Sequence, residues 1–192
     1  MPKKRKVRSF YIDTNVALDY ATRRDIQTIL VLEKIKERRW KCVSSTFLAM
    51  EMADYQKNAL FISDAMAKKW EVRKILNHIS TKTLSPAQLD SVGDFFEDFK
   101  NQYKKIQMYD FLQDSFAWEV AQDISFSSNL TAPDVIHLTS AIVGAIGGYC
   151  SFFITKDGLL LKEAKKIIER YRLKTKLKVM TIAEVKKKFF TS

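Results

Sequence analysis

The chain has 192 residues, 46% hydrophobic and 29% charged, with five glycines, three prolines and a net charge of +11. That apolar share supports a packed domain and excludes wholesale disorder, and so few Gly and Pro exclude a turn-dense β-sandwich. No apolar run reaches the roughly 18 residues that span a bilayer, and two cysteines with two histidines are too few for a disulfide framework or a Cys/His zinc site.

The charge is uneven. Residues 1–8 carry Lys3, Lys4, Arg5, Lys6 and Arg8, residues 156–192 carry twelve Lys/Arg against four Asp/Glu, and the middle is near −2. Basic ends around a near-neutral body suit a polyanion such as nucleic acid or an anionic surface, although solvated lysine faces account for part of the C-terminal excess. Pro2-Lys3-Lys4-Arg5-Lys6-Val7 is similar to a short basic nuclear-import signal; a phosphate-touching arm and a vector-derived tail stay open beside it. It has no apolar stretch behind it, unlike a secretory signal. Cys42 and Cys150 sit in apolar runs and read as reduced core residues. The expected location is the cytoplasm, with nuclear import if that basic segment acts as a signal.

Ser9–Asp13 is short, β-prone and ends in an acid, so a buried strand is predicted. Ile26, Ile29, Leu30 and Ile35 have helical spacing. Trp40–Ser44 reads as a second strand, and Thr46 to about Ile79 as helix with a break. Ser85 opens a helix with Pro86 at its first position, running to about Tyr103. Lys105–Tyr109 reads as a short strand and Asp110 to about Phe126 as helix. A helix from Thr131 ends before Gly147-Gly148, and Tyr149–Thr155 is the clearest strand. Helix Leu159–Tyr171 and strand Leu177–Met180 follow. Thr181 with Glu184 makes a capping box for a last helix. Alternating strands and helices predict an α/β fold with a mostly parallel sheet, whose working site lies at the carboxyl ends of the strands.

Four acids are expected at that rim. Asp13 ends the first strand, Asp157 follows Thr155, Asp134 opens a helix, and Glu51 lies one turn into the helix after the second strand. Converging carboxylates repel one another, and a divalent cation with a taste for hard oxygen ligands, Mg²⁺ or Mn²⁺, relieves that repulsion. Each acid also has an ordinary reading. Asp13 can cap a helix, Thr131-x-x-Asp134 has capping-box form, Asp157-Gly158 is a turn pair, and Glu51 can be a solvated helix residue.

Phe10-Tyr11-Ile12-Asp13-Thr14-Asn15-Val16 resembles the opening motif of PIN domains. Ser44-Ser45-Thr46-Phe47-Leu48-Ala49-Met50-Glu51 resembles that family's second motif. Ala132-Pro133-Asp134-Val135-Ile136-His137-Leu138 resembles the third, Phe152-Phe153-Ile154-Thr155-Lys156-Asp157 the fourth, and Lys178–Thr181 the last strand and its exit. The resemblance covers about residues 9–190, so a single domain over 9–192 is expected behind the basic tail 1–8. The stretch between Glu51 and Asp134 is long for compact members, with an added helical segment around 81–104. The resemblance implies a five-stranded parallel sheet flanked by helices and a Mg²⁺- or Mn²⁺-dependent endoribonuclease. Asp13, Glu51, Asp134 and Asp157 match its metal-binding and catalytic acids, with Asp13 and Asp134 as direct ligands. Asn15 and Thr155 match polar positions that orient those carboxylates. It further implies an RNA substrate and, for toxin members of toxin–antitoxin pairs, a small antitoxin partner and a homodimer.

Lys156 beside the rim could hold a phosphate or be solvated. Ser44-Ser45-Thr46 reads as an N-cap more simply than as a phosphate contact, and His137 as a structural residue. Phe95, Phe96, Phe99 and Tyr103 at helical spacing read as packing before a base-stacking platform. Two other functional classes compete: a non-cleaving PIN-like module that binds RNA or protein, and a phosphatase-like enzyme with Asp13 as nucleophile. The second usually needs an acid where this chain has Asn15.

Overall fold

The computed structural model describes residues 7–103 and 106–190, so the basic run Lys3–Lys6 of the import-signal reading lies outside the described residues. The chain divides into two compact units, 1–48 with 105–192, and 49–104.

The first unit is built on five parallel strands: β1 (Ser9–Ile12), β2 (Lys41–Ser45), β3 (Ile106–Tyr109), β4 (Phe152–Ile154) and β5 (Lys178–Met180). Their spatial order is β3-β2-β1-β4-β5, every neighbouring pair parallel. This is the α/β architecture expected from the sequence. The chain first builds outward from β1 through β2 to β3, then returns to β4 on the other side of β1. The order therefore reverses at the β1–β4 pair, the place where open α/β sheets bind their ligands.

Side chains alternate across β1. Tyr11 points to one face and joins Phe153, Val179, Leu138, Ile142 and Leu160 in the main core. That face is covered by α6 (Ser115–Ser127), α7 (Ala132–Ile146) and α8 (Gly158–Arg170). Phe10 points to the other face and stacks with Phe152, near α9 (Ile182–Phe189) and α2 (Ile26–Glu37). Phe10, Tyr11 and Ile12 are fully buried. Each such side chain contributes roughly 1.5–3 kcal/mol of transfer free energy, so β1 is the best-anchored strand and a rigid mount for whatever follows it.

Sequence and structure differ locally in four ways. A separate helix, α1 (Thr14–Ala21), follows β1, because Asp13 caps it by accepting the Thr14 N–H at 2.8 Å. In α2 the buried residues are Thr28, Val31, Leu32 and Ile35, while Ile26 and Leu30 of the predicted apolar face are exposed. The helix expected from Asp110 starts at Ser115, since Asp114 accepts from Ala117 N–H and sets the start there. The strand expected from Tyr149 shortens to Phe152–Ile154, because Gly148 at φ +77° is still turning the chain out of α7.

The second unit contains α3 (Phe47–Ala67, entered from the first unit), α4 (Val72–His78), a single 3-10 turn (Ile79–Thr81) and α5 (Pro86–Gln102). The expected break after α3 is made by Lys69, whose left-handed backbone (φ 57°) lets Trp70 N–H reach back to Ala65 O. Ser85 and Gln88 form the capping box that opens α5 at Pro86, and α5 contains most of the added segment read at 81–104. Phe99 and Tyr103 are buried, and the Phe95 ring meets Tyr55, so packing is their role. His78 ends α4, with Nδ1 2.8 Å from Lys74 O. Among the described residues no helix is long and apolar enough to cross a membrane.

Candidate active site at the carboxyl ends of β1 and β4

Asp13 is the first residue after β1 and is only 4% exposed. A buried carboxylate requires donors, and two are fixed around it. Thr14 N–H donates to Oδ1 at 2.8 Å, and the Thr155 hydroxyl donates to Oδ2 at 2.7 Å. Thr155 is the first residue after β4 and fully buried, and its hydroxyl also accepts the Asp157 N–H at 3.0 Å. Asp157 in turn caps α8, accepting the Leu160 N–H at 2.7 Å. Asn15, on the first turn of α1, accepts the Lys156 N–H at 3.3 Å. Asp13, Asn15, Thr155 and Asp157 are thus tied together across the β1–β4 switch point, with Asp157 half-buried.

Asp134 reaches this end of the sheet through α7. His137, one turn further along the same side of α7, is buried, with Nε2 2.9 Å from Thr14 Oγ1 and 3.8 Å from Asp13 Oδ1. Its Nδ1 lies 2.8 Å from the Tyr11 hydroxyl, and the Phe47 ring packs on its edge. His137 is structural, as expected: it clamps α7 to the β1–α1 junction. Asp134 itself turns back on its own helix start, where Oδ2 accepts the Thr131 hydroxyl at 2.6 Å and the Thr131 N–H at 3.3 Å. Glu51 lies on the part of α3 that belongs to the second unit, half-buried.

Lys156, read from the sequence as a phosphate contact or a solvated side chain, is ion-paired. Its ammonium is engaged by two carboxylates, Asp19 and Asp25, the latter at 2.7 Å. Arg24 pairs with the other oxygen of Asp19, which is buried. Burial works against the Lys156 charge, yet the hydrogen bonds it donates to Asp19 and Asp25 outweigh it and raise its pKa. The bond from Lys156 holds the Asp25 carboxyl down at about 2. The cluster locks the α1–α2 turn to the β4–α8 junction. Asp19 escaped the sequence reading, although its i,i+4 spacing from Asn15 puts both on one side of α1, the side that meets Lys156. Ser44 is likewise occupied, its hydroxyl donating to Ile12 O at 2.9 Å. Cys42 and Cys150 are buried and unbridged as expected, and burial pushes the Cys150 thiol up to about 12.

Among the described residues no three His, Cys, Asp or Glu side chains are gathered where they could hold a metal ion. Mg²⁺ seldom needs three: it is commonly held by one or two carboxylates, with waters and substrate phosphate completing six positions. The donors at this rim are hard oxygens, which suits Mg²⁺ or Mn²⁺ and not a thiolate-seeking metal. Asp157 Oδ2 and Asp134 Oδ1 accept no hydrogen bond among the described residues.

No family model matches the chain, and no curated protein matches it. Among solved structures, the chain is similar to the crystal structure of VapBC2 from Rickettsia felis bound to a DNA fragment from their promoter. The TM-score is 0.48 at 11% identity, covering 90% of this chain and 98% of that one.

Proposed function

We propose that the chain is a PIN-like, divalent-metal-dependent endonuclease, with RNA as its substrate. The observation that carries this reading is the hydrogen-bonded set Asp13–Thr155–Asp157 at the β1–β4 switch point. It puts two acids from distant stretches where parallel α/β sheets place their working sites. Asp13 and Asp134 would hold Mg²⁺ or Mn²⁺ directly, with Asp157 beside them. Bound there, the cation supplies Lewis acidity toward a phosphodiester and lowers the pKa of the attacking water. Thr155 and the Thr14 N–H fix the Asp13 carboxylate, and Asn15 holds the backbone of the β4–α8 junction in place. Glu51 is tested separately: cleavage undiminished in Glu51→Gln removes that acid from the proposal. An antitoxin partner and a homodimer belong to the same proposal.

The test is cleavage of single-stranded RNA with Mg²⁺, with Mn²⁺ and with chelator. Activity that survives chelation, or that persists undiminished in purified Asp13→Asn and Asp134→Asn, overturns the reading. The second reading, a non-cleaving RNA- or protein-binding module, is favoured by one observation: the Asp134 carboxylate is folded onto Thr131 as a helix cap. Under that reading Mg²⁺ produces no shift in melting temperature that Asp13→Asn removes.

A further inference from the structure

The amino ends of the same strands carry a different chemistry. Phe10, fully buried, stacks on Phe152 (5.1 Å) and Trp40 (5.8 Å), and Trp40 stacks on Phe190 (5.6 Å, 24° between planes). Phe189 closes the cluster edge-on to Phe152 and Trp40. The outer rings are half-buried. Four cations lie over them. The Arg8 guanidinium is 4.7 Å from the Trp40 centroid and 4.3 Å from Phe189, and that of Arg38 is 5.1 Å from Trp40 and 4.9 Å from Phe190. Lys34 reaches Phe190 at 5.6 Å, and Lys188 reaches Phe189 at 5.5 Å and Phe152 at 5.6 Å.

None of these four pairs with a carboxylate among the described residues, whereas Lys156 at the opposite rim is engaged by two. Ring faces immobilise the cations without neutralising them. Arg38 is fixed further by its bond to Phe189 O at 3.0 Å. A guanidinium held over a ring face has already given up part of its side-chain freedom, and its N–H donors can still bond a phosphate. Lys34, Arg38 and Lys188 are exposed.

From this geometry we infer that the amino-end rim is a nucleic-acid-backbone binding surface, separate from the acids at the carboxyl end. Five residue steps separate Arg8 from Asp13 along β1, about 16 Å at strand rise. The cations extend from the β2 side to the β4 side of β1, about 10 Å, wide enough to meet successive phosphates of one strand. The rings lie beneath the cations and are only partly exposed, so they set the charges in place and do not project as wedges. That favours phosphates over an anionic membrane, where projecting aromatic and aliphatic groups are the anchor. Contacts of this kind position a strand without reading its sequence. The inference does not depend on cleavage chemistry, since Asp13 and its neighbours take no part.

The experiment is binding of a fluorescein-labelled single-stranded 20-mer RNA to the full chain, with chelator present, by anisotropy at several KCl concentrations. Lys34→Ala/Arg38→Ala/Lys188→Ala is compared with Lys162→Ala/Lys166→Ala/Arg172→Ala, which removes the same charge from exposed positions on α8 and just after it. The first should weaken binding about tenfold or more and lower the slope of log K against log salt by about 2, at ~0.7 for each phosphate no longer neutralised. The second should leave both nearly unchanged. Should the triple variant fail to fold, Lys34→Ala/Lys188→Ala serves, with a slope change of about 1.4. Unchanged RNA binding overturns the inference. So does an equal weakening in both triple variants, and so does loss of binding to phosphatidylserine vesicles with RNA binding intact.

Discussion

The two ends of one sheet carry opposite chemistry for one geometric reason. In an all-parallel sheet every strand starts at one rim and finishes at the other, so residues before strands collect together and residues after them collect opposite. Arg8 and Trp40 precede β1 and β2; Asp13, Thr155 and Asp157 follow β1 and β4. At the carboxyl end the charges are tied down by hydrogen bonds: Asp13 by Thr14 and Thr155, Lys156 by Asp19 and Asp25. At the amino end they are held by ring faces and keep their charge available. Ion pairs therefore make the first rim stiff and electrically quiet except at its acids, while cation–π contacts leave the second open to a polyanion.

The largest expected effect separates the rims by function. Asp13→Asn should lower RNA cleavage by more than about 100-fold, beyond what loss of an orienting neighbour costs, while RNA affinity in chelator stays within about twofold. A parallel fall in affinity would mean that the acid rim also carries binding, and the division of labour would be wrong. Thr155→Val is the milder version. It removes one donor from Asp13 and the acceptor of the Asp157 N–H. Cleavage should fall roughly 10–100-fold with about 1–3 kcal/mol of stability lost from the unsatisfied polar groups. Cleavage rates at saturating Mg²⁺ and a denaturant titration measure the two separately.

Lys156→Met sharpens the comparison from the other side. If Lys156 serves structure, removing it leaves Asp19 with Arg24 alone and Asp25 without its ammonium. The cost should be about 2 kcal/mol, between an exposed and a buried pair, read as a lower denaturant midpoint at unchanged slope. RNA affinity should not move. A tenfold drop in affinity at unchanged stability would make Lys156 a phosphate contact.

The sequence announced the elements whose signals are local. Ser85-Pro86 and Thr181-x-x-Glu184 started α5 and α9 where their capping boxes predict, and β1, β2 and β5 fell within a residue or so of expectation. Asp13 as the residue that ends β1 was legible for the same reason: an acid after a short apolar run is a local pattern. Partnership was not. Lys156 meets Asp19 and Asp25 across more than 130 residues of chain, and nothing in its neighbourhood announces two waiting carboxylates. The aromatic cluster was invisible on the same ground, since Phe10, Trp40, Phe152 and Phe189 come from four separated stretches and meet only because parallel pairing aligns Phe10 with Phe152. The helix predicted from Asp110 shows a different failure. Both Asp110 and Asp114 can cap, and only tertiary packing of Phe111 under α7 decides that the second one does.

The smallest effect expected is a pH dependence confined to the carboxyl rim. Lys156 holds the folded-state pKa of Asp25 at about 2, below its ordinary value of 3.8. A depressed carboxyl contributes stability above its unfolded pKa and loses it as pH falls through the folded one. The Asp25 contribution is therefore complete above about pH 4 and fades between pH 4 and 2. Lys156 has the opposite sign: its raised pKa keeps its contribution intact up to the ordinary lysine range and loses it only above that. Between pH 5 and 9 neither group changes charge, so the cluster should be insensitive there. Asp25→Asn should flatten the acid limb of a melting-temperature profile between pH 4 and 2 and leave the neutral region parallel to wild type. Among the described residues the cations of the amino rim have no carboxylate partner to protonate, so Arg38→Ala should leave the shape of that limb as it was. An equal flattening in both variants would mean that the acid limb belongs to the whole chain's charge and not to this cluster.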